Sequence, residues 1–118
     1  MLNLFQHLIF LLKSRTKLKR SMLKNGYVYI MSNKNRTTYY VGVTNNLEKR
    51  IAEHRSGEGS IFTSKYNLVD LVYFELIPDI EQAIKREKQL KRWHREWKIN
   101  LIKSVNPEMK NLLETGID

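Results

Sequence analysis

Two short runs of β-branched and aromatic residues, 27–31 (Tyr-Val-Tyr-Ile-Met) and 39–44 (Tyr-Tyr-Val-Gly-Val-Thr), flank a polar stretch at 32–38. Such runs suit a pleated, half-buried backbone, and an Asn/Ser/Thr-rich connector supplies the turn. A β-hairpin is therefore predicted. Side chains alternate across a strand. Val28 and Ile30 fall on one face, and Tyr27, Tyr29 and Met31 on the other; in the second strand Val41 and Val43 oppose Tyr40 and Gly42. Tyrosines gather on one sheet face.

After the hairpin, Thr44, Asn45 and Asn46 offer N-caps to Leu-Glu-Lys-Arg-Ile-Ala-Glu-His-Arg, and Gly57 offers a stop. This predicts a helix over 46–55. At about 100° per residue, Leu47, Arg50, Ile51 and His54 share a side, so a guanidinium and an imidazole lean inward. Residues 56–60 form a Gly/Ser loop, 62–67 a polar-aromatic connector and 68–77 a third apolar strand ending at Pro78. Asp79 then caps a long predicted helix with an apolar stripe of Ile80, Ala83, Ile84, Leu90, Trp97 and Leu101. Glu87 falls within that stripe. An inward carboxylate is costly unless it is paired or metal-bound, and two readings stand here: a metal ligand, or a buried salt bridge to Arg50. Asn106-Pro107 closes the helical region, and Leu112 and Leu113 give the tail a docking point.

A chain of 118 residues fits one domain. With 42% hydrophobic and 28% charged residues it is not of the disordered class. The absence of cysteine excludes disulfides and thiolate zinc sites, and makes a reducing cytoplasm the expected compartment. The apolar run at 2–12 is too short for a membrane span, which needs about 20 residues, and its positive charges follow it, unlike those of a secretory signal. It is either a short amphipathic helix or an extension. The expected organisation takes the second: residues 1–21 as an N-terminal extension, 22–108 as the functional domain and 109–118 as a tail.

The net charge of +9 points to an anionic partner only where it is concentrated. Five basic and no acidic residues lie in 1–21, so 22–118 hold 16 Lys and Arg against all 12 acidic groups, a net +4. The sharper signal is at 85–103, where eight Lys or Arg meet only Glu87 and Glu96. That stretch fits a phosphate-facing surface or an ordinary solvated helix face.

Two hairpin tyrosines, an Arg/His helix directly after them and a lone inward glutamate on a later helix form an ordered set that resembles the GIY-YIG nuclease family. Tyr27-Val28-Tyr29 stands for the first motif, with Tyr29 at the family's tyrosine, and Tyr40-Val41-Gly42 for the second. In the first, tyrosine replaces the leading glycine and valine the isoleucine; in the second only isoleucine becomes valine. Arg50 lies eight residues beyond Gly42, where the family has its arginine, with His54 one helical turn later. Glu87, in Ala-Ile-Lys-Arg-Glu-Lys-Gln-Leu-Lys, matches the metal-binding glutamate. The likeness spans roughly residues 26–107 and is to the small single-domain members.

The resemblance implies an α+β fold, a small three-stranded antiparallel central sheet flanked by helices. It also implies a metal-dependent endonuclease acting on nucleic acid, DNA favoured over RNA. Glu87 would hold one Mg²⁺ or Mn²⁺ ion, with one carboxylate and several waters. Arg50 would grip phosphate oxygens bidentately, and Tyr29 or Tyr40 would take or orient the proton of the attacking water. His54 would assist a tyrosine or contact phosphate. Lys65, Lys88, Lys91, Arg92 and Arg95 are the expected nucleic-acid contacts. Tyr66, Trp93 and Trp97 could stack on bases, with Trp97 more at home in the core. The resemblance also makes Asn106 a weaker site candidate. No membrane and no small-molecule cofactor is expected, and selectivity could come from a protein partner. The rival readings are a non-catalytic nucleic-acid-binding module of the same fold and an interaction protein working through its N-terminal apolar segment.

Overall fold

The two β-branched runs pair as predicted. In the computed structural model, which describes residues 25–114, β1 (Gly26–Ser32) and β2 (Tyr39–Thr44) form an antiparallel hairpin with Tyr29 opposite Gly42 and Met31 opposite Tyr40. Antiparallel β3 (Asp70–Ile77) flanks β1 on its other side, giving the order β2-β1-β3. Its central place leaves every residue of β1 buried. Four helices complete the α+β fold: α1 (Leu47–Arg55), α2 (Ile61–Lys65), α3 (Ile80–Arg92) and α4 (Arg95–Val105). The expectations for residues 1–21, for a domain start at Met22 and for tail residues 115–118 lie outside the described residues.

The two sheet faces bury different chemistry. Tyr27, Tyr29 and Met31 pack with Leu47 and Ile51 of α1 and with Leu68, Leu71 and Leu112. Val28, Ile30, Val41 and Val72 pack instead with Ala83 and Leu90 of α3 and Ile102 of α4. Ile30 and Met31 of β1 face Tyr73 and Leu71 of β3, so Val72 is an extra residue. Through this bulge the sequence neighbours Val72 and Tyr73 both reach the valine face, which plain alternation would forbid. Leu112, the expected docking point of the tail, is buried and donates its N–H to the Leu71 carbonyl at 2.7 Å.

The continuous helix predicted from Asp79 is two helices, broken at Trp93 and His94, whose ψ angles of 147° and 152° are extended. Leu90 and Ile102 are twelve residues apart; on one unbroken helix, at about 100° per residue, they would point about 120° apart. The break brings both into the valine-face core. Trp97, expected on the same stripe, is consequently 53% exposed. Ile84 also leaves the predicted stripe, because α3 buries only Ala83 and Leu90 and holds Ile84 at the margin. The connector predicted over 62–67 contains the short helix α2, and the third strand begins at Asp70, after a left-handed Asn67 (φ 56°).

Buried Asn106 closes α4 onto β3. Its amide donates to the carbonyls of Val72 and Lys110, both at 2.9 Å, and its side-chain oxygen accepts from the Lys110 N–H at 3.0 Å. Asn106→Ala should therefore lower stability by about 2 kcal/mol, the usual cost of leaving buried polar partners unpaired. In urea denaturation this reads as a lower midpoint at constant slope; an unchanged midpoint would show that the bracket contributes nothing.

Candidate active site

Tyr29 takes the middle of the tyrosine face because it sits midway along the central strand. Opposite it, a Cβ at position 42 would lie 2.3 Å from the Tyr29 hydroxyl oxygen, so only glycine lets the ring lie across β2. Tyr40 shares this face, its ring centre 6.4 Å from that of Tyr29. Tyr29 is sealed at 1% exposure, whereas Tyr40 is half-buried.

The following helix brings in two more polar groups. Asn46 caps α1 by accepting the Lys49 N–H at 3.1 Å, as the sequence suggested. From that start Leu47, Ile51 and His54 turn inward and Arg50 lies at the rim. His54 Nε2 lies 2.8 Å from the Tyr29 hydroxyl, and its Nδ1 lies 3.0 Å from Thr63 Oγ1. Arg50 Nε donates to the Tyr29 hydroxyl at 3.3 Å, while its two terminal nitrogens donate to Glu53 at 3.0 Å and to the Gly59 carbonyl at 2.8 Å.

Donor counting sets the direction of this chain. Arg50 has only hydrogens to give, so Tyr29 accepts from it; in the His54 tautomer protonated on Nδ1, Tyr29 donates its own hydrogen to Nε2 and Nδ1–H meets Thr63 Oγ1. Burial, reinforced by the Arg50 charge, lowers His54 to about 4; the imidazole is neutral at physiological pH. Burial likewise pushes Tyr29 up to about 12, against the pull of the Arg50 hydrogen bond. For Arg50, burial works against the charge, but hydrogen bonds to Tyr29 and Glu53 outweigh it and hold the guanidinium above its ordinary range.

Glu87 approaches from the other side of the sheet. Because β2 is an edge strand, long side chains of α3 reach past it, and Lys91 Nζ stands 5.8 Å from the centre of the Tyr40 ring. The Glu87 carboxylate, 12% exposed, pairs with Lys91 at 2.8 Å, and its charge acts on Tyr29. The salt bridge to Arg50 considered from the sequence does not form; the carboxylate partner of Arg50 is Glu53. Among the described residues no three His, Asp or Glu gather as a cage. A single carboxylate is nevertheless the protein donor that a hard, well-hydrated cation needs, and the Lys91 pair occupies only Oε2 of Glu87.

Tyr29, Tyr40, Arg50, His54, Glu87 and Lys91 are thus brought together. Arg95 lines a groove with Phe62 and Tyr66, and Lys65 stands exposed beside the Tyr66 ring. Lys88 and Arg92 line a different groove with Trp93 and Trp97. The basic stretch at 85–103 is divided between surfaces. Three site-shaping residues were not legible in the sequence: Thr63, which holds His54; Ser60, whose hydroxyl lies 2.8 Å from that of Thr63; and Gly59. A Cβ on Gly59 would lie 2.1 Å from His54 Nδ1. Their spacing from His54 follows no helical or strand period, so no local pattern marks them.

The family described as GIY-YIG catalytic domain matches residues 25–100. A UPF0213 protein of Syntrophus aciditrophicus is 43% identical over 88 residues, 74% of this chain and 98% of the relative. One of Clostridium perfringens is 41% identical over 85 residues, 72% and 90% of the two chains. The solution structure of a UPF0213 protein from Bacillus halodurans superposes with a TM-score of 0.50 at 29% identity, covering 80% of this chain and 99% of that one.

The neutral, buried His54 has a measurable signature. Once unfolded, it titrates at its ordinary 6.5, so between pH 6.5 and about 4 the unfolded chain binds a proton that the fold excludes. Stability from this group is full above pH 6.5 and falls as the pH drops through that window. Urea midpoints of wild type should therefore decline more steeply over this range than those of His54→Gln, which cannot titrate. Parallel pH profiles would contradict the neutral, buried assignment.

Proposed function

The chain belongs to the GIY-YIG catalytic domain family, among its small UPF0213 members, and from that premise we propose a divalent-metal-dependent endonuclease that hydrolyses phosphodiester bonds, preferentially in DNA. The family's domain is a nuclease domain, and its members generally depend on a divalent metal. The observation that carries the reading is the hydrogen-bonded chain Arg50–Tyr29–His54 beside the Glu87 carboxylate. That set combines an anion grip, a proton path and a metal donor.

Bound at Glu87, one Mg²⁺ or Mn²⁺ ion would neutralise charge on the scissile phosphate and stabilise the departing oxygen. Arg50 lies at the site rim and each of its terminal nitrogens keeps a second N–H beyond its bond to Glu53 or the Gly59 carbonyl; these two would grip phosphate oxygens, a geometry lysine lacks. The attacking water's oxygen bonds to phosphorus as its proton passes to the oxygen of Tyr40, the accessible hydroxyl, whose own proton leaves to solvent, or to that of the buried Tyr29, whose proton then moves to His54 Nε2. The phosphorus–oxygen bond opposite breaks, and the leaving oxygen takes a proton from solvent. On the Tyr29 route a protonated His54 would have no lone pair to offer, and burial keeps the ring neutral at physiological pH. Thr63 acts as a positioning residue, holding the imidazole from its far side. The tyrosine that does not take the proton orients the phosphate or the water. Lys65, Lys88, Lys91, Arg92 and Arg95 add sequence-independent attraction for backbone phosphates. The unit is residues 22–108 with the tail docked on it through Leu112, working in the cytoplasm in DNA processing or repair, with no small-molecule cofactor and with targeting by substrate structure or a partner protein. No described helix is long and apolar enough to cross a membrane.

Labelled single-stranded, duplex and forked DNA incubated with Mg²⁺, Mn²⁺ or EDTA tests the assignment. Metal-dependent cutting should disappear in Glu87→Ala, with binding in EDTA close to wild type; retained cutting would remove Glu87 from the metal. Arg50→Lys should lose at least about 100-fold in rate, the scale of one preorganised charge contact at a transition state. Full activity in that variant would reduce the arginine to a simple positive charge, and binding without cutting on every substrate would make the domain a binding module.

A further inference from the structure

A ladder of aromatic rings leads out of the tyrosine site. Phe62 stacks on Tyr40 at 6.2 Å between ring centres and 30° between planes, and Tyr66 follows on Phe62 at 4.8 Å. The inner end of this ladder is at the candidate active site; the outer rungs, Phe62 and Tyr66, are each 43% exposed. Large apolar rings left in water beside a site are more informative than charges there. Both belong to α2 and its cap, the segment whose buried Thr63 holds His54. The rungs are therefore positioned by the same element that orients the imidazole.

Phe62 and Tyr66 form one wall of an open groove of about 430 Å³, with Tyr39, Arg95 and Lys98 on the other side. That volume falls in the range of ligand-binding clefts, roughly 300–1,000 Å³. The groove is cationic. Arg95 and Lys98 line it, while Lys65 lies on the neighbouring surface with Gly57 and Ser60, 5.3 Å from the Tyr66 ring centre. Lys98 is held below the usual lysine range, first by burial and then by the charge of Lys91, so like charges are crowded at this edge, an arrangement that an anion relieves. Exposed aromatic faces and two cations lining one groove are the pairing that a single nucleic-acid strand requires, rings for its bases and positive charge for its phosphates.

We propose that this groove is a stacking platform for unpaired nucleotides, so that the substrate strand is single or locally unpaired beside the bond to be cut. Bases lie on Phe62 and Tyr66, and backbone phosphates meet Arg95 and Lys98. A duplex keeps its base faces against one another and offers nothing to these rings. The placement of the cut bond rests on the nuclease reading; the platform itself is tested by binding, which does not require cleavage.

The experiment uses the full chain, a fluorescent 20-nucleotide single-stranded DNA and the blunt duplex of the same sequence. Binding is followed by anisotropy in EDTA and cleavage in Mg²⁺. Wild type should prefer the single strand, and Phe62→Leu/Tyr66→Leu should weaken single-strand binding by roughly tenfold or more, the scale of base–aromatic stacking, with duplex binding unchanged. Phe62→Tyr, which keeps a ring, should bind as wild type. In wild type alone, 2-aminopurine placed along the single strand should be quenched on binding, which needs no folded variant. Preference without cutting would sink the nuclease reading while supporting the platform. Equal single-strand affinity in the double-leucine protein, an equal loss on single strand and duplex, no single-strand binding, or an unquenched probe in the complex would each overturn it.

Discussion

The hydrogen bond from the Tyr29 hydroxyl to His54 Nε2, at 2.8 Å inside the tyrosine-face core, is the constraint around which the candidate site is arranged. Both partners are about 1% exposed, and a buried hydroxyl or imidazole without a partner is costly. Each must therefore satisfy the other, and the requirement spreads. Gly42 has to be bare for the tyrosine ring to lie flat across β2, Gly59 has to be bare for the imidazole, and Thr63 has to receive the second ring nitrogen. The loop at 56–60 and the short helix α2 are shaped by this bond.

A second consequence concerns charge. Among the described residues, Arg50 is the cation placed against the pair, and its hydrogen bonds run to Tyr29, Glu53 and the Gly59 carbonyl. Glu87 reaches the same region from the helix on the opposite sheet face and is balanced by Lys91 from its own helix. The two carboxylates near the site thus have separate cations, so Arg50 and Glu87 are not locked to each other. In the proposed nuclease, Arg50 on phosphate and Glu87 on a cation would act on one substrate from two sides.

Much of this was legible before folding, for definite reasons. Tyr29, Tyr40 and Gly42 lie on strands whose period of two is set by their own residues, so their common face followed from alternation alone. Arg50 and His54 lie on one helix turn with an Asn cap just upstream, and the 3.6-residue period placed them together. Glu87 stood out as a carboxylate on an apolar stripe. The reading failed where a local period does not extend through a break. Trp97 was assigned to the core by continuing the α3 stripe through residues 93 and 94, where the backbone is extended, and of the two readings of Glu87 the salt bridge to Arg50 does not form, the pairs being Lys91–Glu87 and Arg50–Glu53.

Local periodicity and turn chemistry, which act over a few residues, determined from the sequence the hairpin, the first helix, the tyrosine face and the ordered set of residues that resembles the family. The tertiary structure alone decided what crosses between elements: the bulge at Val72 that puts two neighbours on one face, the break that seats both Leu90 and Ile102, and the contact of Thr63 and Gly59 with His54. It also decided that Phe62 and Tyr66 continue the rings of Tyr40 outward. These depend on distances between segments far apart in the chain, which no pattern along one segment encodes; they emerge only when the buried polar groups and the core side chains are satisfied together.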